Sequence, residues 1–434
     1  MLPRLITEVP GEKSRALARR LRACESRNVT FVDEKFPVFW ERADGANVWD
    51  VDGNRYLDVT SAFGVATAGF GADYKKQAFA RQSATLEHGM GDVHPAALKV
   101  TLCERLAALT FGRWGAGAAK VMLGNSGFEA VEMALKTALL VTGKRRVLAF
   151  EGAYHGLGFG ALTVNGWDFF KSPFRAQLAD FADFVPFPRS AAELEELEPL
   201  MDGILARGAT GVILAEPVLG RGGEIVPPDG FLKMLRRLAD RHGALLALDE
   251  IYTGFFRAGH WFACEHEQVV PDLICLGKAL TGAFPLSACV GRAAVMDAWP
   301  ESTGEALHTS TFLGHPVGCA LALAALDFWA DADCQRRVAE LAAAWRAALE
   351  PLRSLPAVAD VRGRGLLWGV ELKQPGAAGE LMAGGLRRGL ILLGAGQDGR
   401  VLSLAPNVAL TAREIAFVGN ELQILVKSVY SSSS

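Results

Sequence analysis

Four short apolar runs in the chain each end on residues with chemistry to offer. Residues 121–123 lead into Gly124, Asn125, Ser126 and Gly127, small or polar residues in front of a helical pattern, and 212–215 lead into Glu216 and Pro217. Residues 245–248 lead into Asp249 and Glu250, and 273–276 into Gly277 and Lys278. Taken singly, each has a plain reading: small residues before a helix cap it, a lone lysine sits on the surface, and an aspartate after a strand caps the next turn. Their conjunction points to one chemistry. Pyridoxal phosphate is a phosphorylated pyridine aldehyde that needs a helix N-terminus for its dianion, a carboxylate to keep its ring nitrogen protonated, and an amine to condense with its carbonyl. Gly124 through Phe128, Asp249 and Lys278 supply these three in turn. Tyr154, in Tyr154-His155-Gly156 beyond a further run, is placed to stack on one ring face, and Ile251 to press on the other.

The elements that must position these residues follow from the hydrophobic pattern. Residues 120–123, 146–150, 211–215, 244–248 and 272–276 are runs suited to strands buried on both faces. Helical patterns at 129–141 and 231–241 lie between them, the second closed by His242-Gly243. Alternation of this kind predicts an α/β fold with a mostly parallel, doubly wound sheet, in which ligands collect at the carboxyl ends of the strands. The first 75 residues hold an amphipathic helical start and then β-rich runs punctuated by Asp44-Gly45 and Asp52-Gly53, which read as antiparallel hairpins. An apolar helix is expected at 317–330 and an amphipathic one at 336–349. The organisation read from this is an N-terminal segment (1–75) contributing to a small domain, a large cofactor-binding domain (76–330) and a C-terminal small domain (331–434), the small α+β domain thus coming from both chain ends.

Composition narrows the class of partner. Half of the 434 residues are hydrophobic, which is ample for a buried core, and 45 Lys+Arg against 48 Asp+Glu leave a formal charge of -3. With no long run of either sign, neither a nucleic-acid footprint nor a polybasic membrane patch is expected. The first residues lack the apolar block of a secretory signal, and the most apolar longer stretch, 279–296, is interrupted by Gly282, Pro285, Gly291 and Arg292. Seven scattered cysteines without a C-x-x-C pair read as reduced thiols, so a soluble, cytoplasmic protein is expected. The terminal serine run, 431–434, reads as a frayed end. Weaker signals point elsewhere: residues 156–161 fit a loose dinucleotide pattern, but no helical period or later acid supports it. His260, Cys264 and His266 lack the second half of a zinc site, so no metal is expected. No nucleophile elbow and no Walker phosphate loop occurs.

These motifs, in this order, resemble the class III pyridoxal-phosphate-dependent aminotransferases of fold type I. The resemblance runs almost end to end, through residues 45–58 (GANVWDVDGNRYLD), 125–132 (NSGFEAVE), 154–156, Glu216-Pro217, 249–254 (DEIYTG), Gly277-Lys278 and 311–316 (TFLGHP). It implies that Lys278 is the Schiff-base lysine, that Asp249 pairs with the pyridinium nitrogen, and that Ser126, Gly127 and the backbone of Phe128 receive the phosphate. It further implies that Glu216 is an acid near cofactor and substrate, and that the protein is a homodimer in which Thr311 reaches the partner's cofactor. The activity implied is ping-pong transfer of an amino group from an amine or amino acid to a keto acid or aldehyde.

Three departures from the family pattern matter. Phe128 stands where a small or hydroxylated residue is common, and Phe70 and Asp73 stand where many members have histidine and proline. Ser403 lies where ornithine-type members carry an arginine for the substrate's α-carboxylate. That charge partner is missing, which suggests a donor handled through a distal or terminal amine, or a carboxylate held elsewhere, for example by Arg400. A racemase or epimerase of the same fold would use the same Lys278 and Asp249, and a non-catalytic cofactor-binding regulator is the reading from a different class. Trp40, Phe63 and Trp167 are candidate pocket liners, with aromatic core as the alternative for each.

Overall fold

The computed structural model describes residues 1–431; Ser432 to Ser434, most of the serine run read as a frayed end, lie outside the described residues. The chain separates into two compact units, one formed by Asp73–Gln335 and the other by Met1–Ala72 together with the chain from Arg336 onward.

The larger unit is built on a seven-stranded sheet: β1 (Ala119–Gly124), β2 (Arg146–Phe150), β3 (Ala182–Val185), β4 (Thr210–Ala215), β5 (Leu245–Asp249), β6 (Leu273–Leu276) and β7 (Ser287–Arg292). Their spatial order is β1-β7-β6-β5-β4-β2-β3. Neighbours from β3 to β6 pair in parallel, whereas β7 runs antiparallel to both β6 and β1. The sheet is therefore mostly parallel, with one reversed strand inserted beside β1. Strands β4 and β6 are buried at every position, as their unbroken apolar runs require.

Two of the seven strands are not evident in the sequence. In β3 the apolar run is interrupted by Asp183, whose carboxylate takes Arg146 Nε at 2.6 Å at the sheet edge. In β7 the run is broken by Gly291, where the Leu273 and Met296 side chains fill the space of a Cβ. The strand expected at 244–248 is shifted by one residue, so Asp249 is the last residue of β5 rather than the first beyond it.

Helix α1 (Gly127–Thr142) packs on this sheet through Ala130, Val131, Met133, Ala134, Thr137 and Ala138, recurring at three- and four-residue spacing. Its core partners include Val147, Val212, Leu214, Ala247, Leu273 and Cys275. The helix ends at Gly143, in the left-handed conformation that a C-cap favours. Helix α2 (Phe231–His242) closes on Gly243 in the same way and buries Phe231, Leu235 and Leu238. A five-residue helix, Phe159–Thr163, does begin within the loose dinucleotide pattern at 156–161.

The terminal unit is α+β. The antiparallel strands Trp40–Asp44, Asn47–Asp50 and Arg55–Asp58 are joined by the short strand Leu390–Ile391 in parallel. A second antiparallel sheet contains Val358–Arg364, Leu367–Leu372, Leu393–Ala395 and Val401–Leu404. Among the described residues no helix is long and apolar enough to cross a membrane.

Candidate active site

The N-terminus of α1 follows directly from β1. Glu129, at the third helical position, reaches back to accept from the backbone N–H groups of Ser126 (3.0 Å) and Asn125, fixing the entry of the chain. The Ser126 hydroxyl sits in the capping position, yet it forms no bond of hydrogen-bond geometry, and its oxygen is buried without a partner. A buried hydroxyl at the positive end of a 16-residue helix is the kind of position that suits an anion. Space there is tight. A Cβ on Gly127 would lie 3.0 Å from Ile251 Cδ1, and one on Gly156 would lie 2.4 Å from Phe128 Cβ.

At the end of β5, the Asp249 carboxylate is held from two sides. Oδ2 lies 2.8 Å from His155 Nδ1, and Oδ1 accepts from the Ile251 N–H at 3.1 Å. His155 is buried, and its backbone N–H donates to Asn165 Oδ1 at 2.6 Å. Burial favours its neutral form, but the hydrogen bond and charge of Asp249, with Glu216, outweigh this and raise its pKa. Glu216, just past β4, accepts from the Tyr154 N–H on one oxygen and from the Gly220 N–H on the other, both at 3.0 Å. Burial pushes its pKa up to about 7, with Asp249 adding to the rise and His155 opposing it.

Lys278 follows β6, next to β5 in the sheet. Its backbone is left-handed, with φ of 45°, which for a lysine costs on the order of 1–3 kcal/mol and is tolerated where surrounding structure over-determines it. Here the Gly282 N–H donates to its carbonyl at 3.0 Å. The amine lies 4.3 Å from the centroid of the Tyr252 ring. Its packed surroundings pull the pKa below the ordinary lysine range, against the pull of Asp249, Glu216 and Glu224. An amine so placed gives up its proton more readily than an exposed lysine.

Gly127, Tyr154, Glu216, Asp249, Ile251 and Lys278 are thus linked by contacts or by mutual electrostatic influence, with Ser126 and Phe128 on either side of Gly127 in the chain. Thr311 is exposed, on the segment before the helix Pro316–Ala330; its neighbour Ser310 accepts from Asn125 Nδ2 at 3.1 Å. Trp167 is buried and donates from Nε1 to the Gly152 carbonyl at 2.6 Å, whereas Trp40 and Phe63 are exposed residues of the terminal unit. Ser403 is buried in that unit, and Arg400 is ion-paired to Asp398. Sequence reasoning overlooked His155, although it lies inside the Tyr-His-Gly motif, and Arg221, a cation flanked by glycines five residues after Glu216. His260 and His266 pack ring against ring, with centroids 4.4 Å apart, and no group of three metal-ligating side chains forms among the described residues.

Comparison with known proteins names the family. Residues 30–426 match the model of the class III aminotransferases. The chain is 33% identical to a 4-aminobutyrate aminotransferase of Mycobacterium leprae, over 95% of each chain. It is 38% identical to an acetylornithine aminotransferase of Streptomyces coelicolor, over 78% of this chain and 79% of that one. Among solved structures, a PLP-bound amine transaminase from an uncultivated Pseudomonas species superposes with a TM-score of 0.84 at 28% identity, covering 93% of this chain and 98% of that one.

The chain belongs to the class III aminotransferases, of fold type I. It is a pyridoxal-phosphate-dependent enzyme that transfers amino groups between amines and keto acids. The site fits the cofactor: an orphaned buried hydroxyl at a helix N-terminus, an anchored carboxylate, and an amine at the end of the adjoining strand.

Proposed function

We propose that Lys278 is the residue that carries the cofactor and moves the proton, and that Asp249 holds the proton on the ring nitrogen. In this reading Ser126, Gly127 and the Phe128 backbone receive the phosphate, Tyr154 and Ile251 flank the ring, and Glu216 orders the Tyr154 and Gly220 backbone at the edge of the site. Pyridoxal phosphate, when bound, supplies the electron sink that makes a proton on the substrate carbon labile. The chain's part would be to position and to transfer that proton: Lys278 Nζ, free as an amine, would take it from the substrate carbon and return it two atoms away, across the intervening nitrogen. Asp249 keeps its charge directed by His155, so that a protonated ring nitrogen has a fixed counter-ion. The observation that carries this reading is that Asp249 and Lys278 close adjacent strands, β5 and β6, one anchored by a buried imidazole and the other held over an aromatic face.

The donor proposed is one presented through a distal or terminal amine. Ser403 offers no charge to an α-carboxylate and Arg400 is already paired with Asp398, while the similar proteins include a 4-aminobutyrate aminotransferase and an amine transaminase. The acetylornithine relative pulls the other way. We further propose a homodimer in which Thr311 serves the partner's site, and a cytoplasmic setting, which seven unpaired cysteines suit. The test mixes purified protein with pyridoxal phosphate, records the visible spectrum, and then offers 4-aminobutyrate, 1-phenylethylamine and ornithine. Lys278→Ala is expected to abolish both the cofactor's protein-bound visible band and all turnover. Full activity in that variant sinks the assignment, and a preference for ornithine sinks the distal-amine donor.

A further inference from the structure

Past Glu216 the chain makes a tight loop whose geometry is fixed from several sides. Leu219 and Ile225 exchange backbone hydrogen bonds at 2.9 and 3.1 Å, and the Gly220 carbonyl accepts from the N–H groups of Gly223 and Glu224, each at 2.9 Å. On one side Gly220 abuts Tyr252, where a Cβ would lie 2.4 Å from the ring. That is the ring over which the Lys278 amine sits. On the other side a Cβ on Gly222 would lie 2.7 Å from the Gly152 carbonyl, two residues before Tyr154. Arg221 stands between these contacts. Its guanidinium carbon is 5.6 Å from the Tyr154 ring centroid and 5.9 Å from that of Trp167.

The two rings hold the guanidinium by cation–π attraction, but they leave its N–H groups without acceptors. Nε is buried with no hydrogen-bond partner, and among the described residues no carboxylate pairs with this arginine. Two of the acids whose charge reaches Lys278 are already committed. Both Glu216 oxygens accept backbone N–H groups, and Asp249 is divided between His155 and Ile251. A half-buried guanidinium whose Nε is buried without an acceptor is suited to an anion arriving from outside. Its neighbour Gly220 abuts the ring over which the Lys278 amine sits, and its charge helps to lower that amine's pKa, so an arriving anion would lie on the Lys278 side of the loop.

We propose that Arg221 is the carboxylate anchor of this enzyme, receiving the carboxylate of the amino acid or keto acid whose reacting carbon faces Lys278. It supplies, from a loop of the larger unit, a guanidinium in a chain that has serine rather than arginine at position 403. The match is one of shape as well as charge, since a guanidinium fork and a carboxylate form two parallel hydrogen bonds. The phosphate is not the expected occupant, because Ser126 and the helix N-terminus already form its receptor. The inference rests on the assignment of Lys278 and Asp249 to the reacting centre.

The test uses the holoenzyme and glutarate, an unreactive dicarboxylate, with affinity read by isothermal titration calorimetry. Arg221→Gln is expected to weaken glutarate binding by roughly ten- to hundredfold, the range for loss of a charge-assisted pair, and Arg221→Lys to restore part of it. The half-reaction with 1-phenylethylamine, which has no carboxylate, is expected to lose at least tenfold less than glutarate binding does. Unchanged glutarate affinity in Arg221→Gln overturns the proposal, as does failure of the unmodified enzyme to bind glutarate. Equal losses with glutarate and the amine, or weakened pyridoxal phosphate binding, overturn it too, by making Arg221 a scaffold or a phosphate ligand. Should the unmodified holoenzyme fail to consume 1-phenylethylamine at all, it is the underlying assignment that has failed.

Discussion

Two buried glutamates one strand apart show how the same side chain is put to different uses. Glu216 orders the Tyr154 and Gly220 backbone beside the reacting centre. Glu250 follows Asp249 but turns away from it, accepting from the Ala263 and Cys264 N–H groups at 2.9 and 2.8 Å and from the Thr253 hydroxyl. Burial pushes its pKa up to about 7 from an ordinary 4.5, against those hydrogen bonds. The folded state therefore holds a proton that the unfolded chain releases, so this group's contribution to stability is fully present below about pH 4.5 and is lost as pH rises through about 7. A shift of this size corresponds to about 3 kcal/mol at most. Glu250→Gln cannot titrate, so although it forfeits one good acceptor, its deficit in melting temperature relative to the unmodified protein should shrink between pH 5 and pH 7.5. A deficit that is constant or grows over that range would show that Glu250 is not protonated in the fold.

At the scale of elements, the site is a set of strand ends brought level by the sheet. Glu216, Asp249 and Lys278 were legible in the sequence because each stands at the end of a short apolar run, and a parallel sheet places such ends along one edge. What was not legible is pairing across the order of strands. His155 and Asp249 are 94 residues apart and meet because β2 and β5 both pair in parallel with β4, so that their ends lie close along one edge of the sheet, which no local pattern encodes. Strand β7 escaped for a similar reason: its reversed direction and Gly291 blur the pattern of a buried strand. The loop after β2 shows how closely one element bears on another. Gly156, with φ of 103°, lies so near α1 that any side chain would strike Phe128. Gly156→Ala would strain the loop and displace the first turn of α1, the turn proposed to receive the phosphate. The expected result is a loss of roughly tenfold or more in pyridoxal phosphate affinity, about 1.4 kcal/mol, measured by equilibrium titration. Affinity within twofold of the unmodified protein would mean that the turn is not the phosphate receptor.

The whole molecule poses a question of number. Leu86, Met90, Val93, Leu307 and Phe312 are large apolar side chains left exposed on two segments of the larger unit. These segments touch one another: the Thr309 hydroxyl donates to Asp92 at 2.8 Å, and the rings of His88 and Phe312 lie 5.3 Å apart. Such a cluster is the kind of surface that a soluble monomer avoids and a second copy covers. Thr311 is exposed in the middle of it. If Thr311 serves the site of a neighbour, two defective chains can repair one another. A Lys278→Ala chain has no reactive amine but offers an intact Thr311, and a Thr311→Ala chain has the amine but depends on its partner for the hydroxyl. Each pure variant should be impaired, whereas an equal mixture allowed to exchange subunits should hold one complete site in each hybrid. With random pairing half of the dimers are hybrids, so activity should rise to about a quarter of the unmodified enzyme's. Activity that stays at the mean of the two pure variants after demonstrated exchange would place Thr311 in its own chain's site, and a mass equal to the 46.4 kDa chain would remove the dimer altogether.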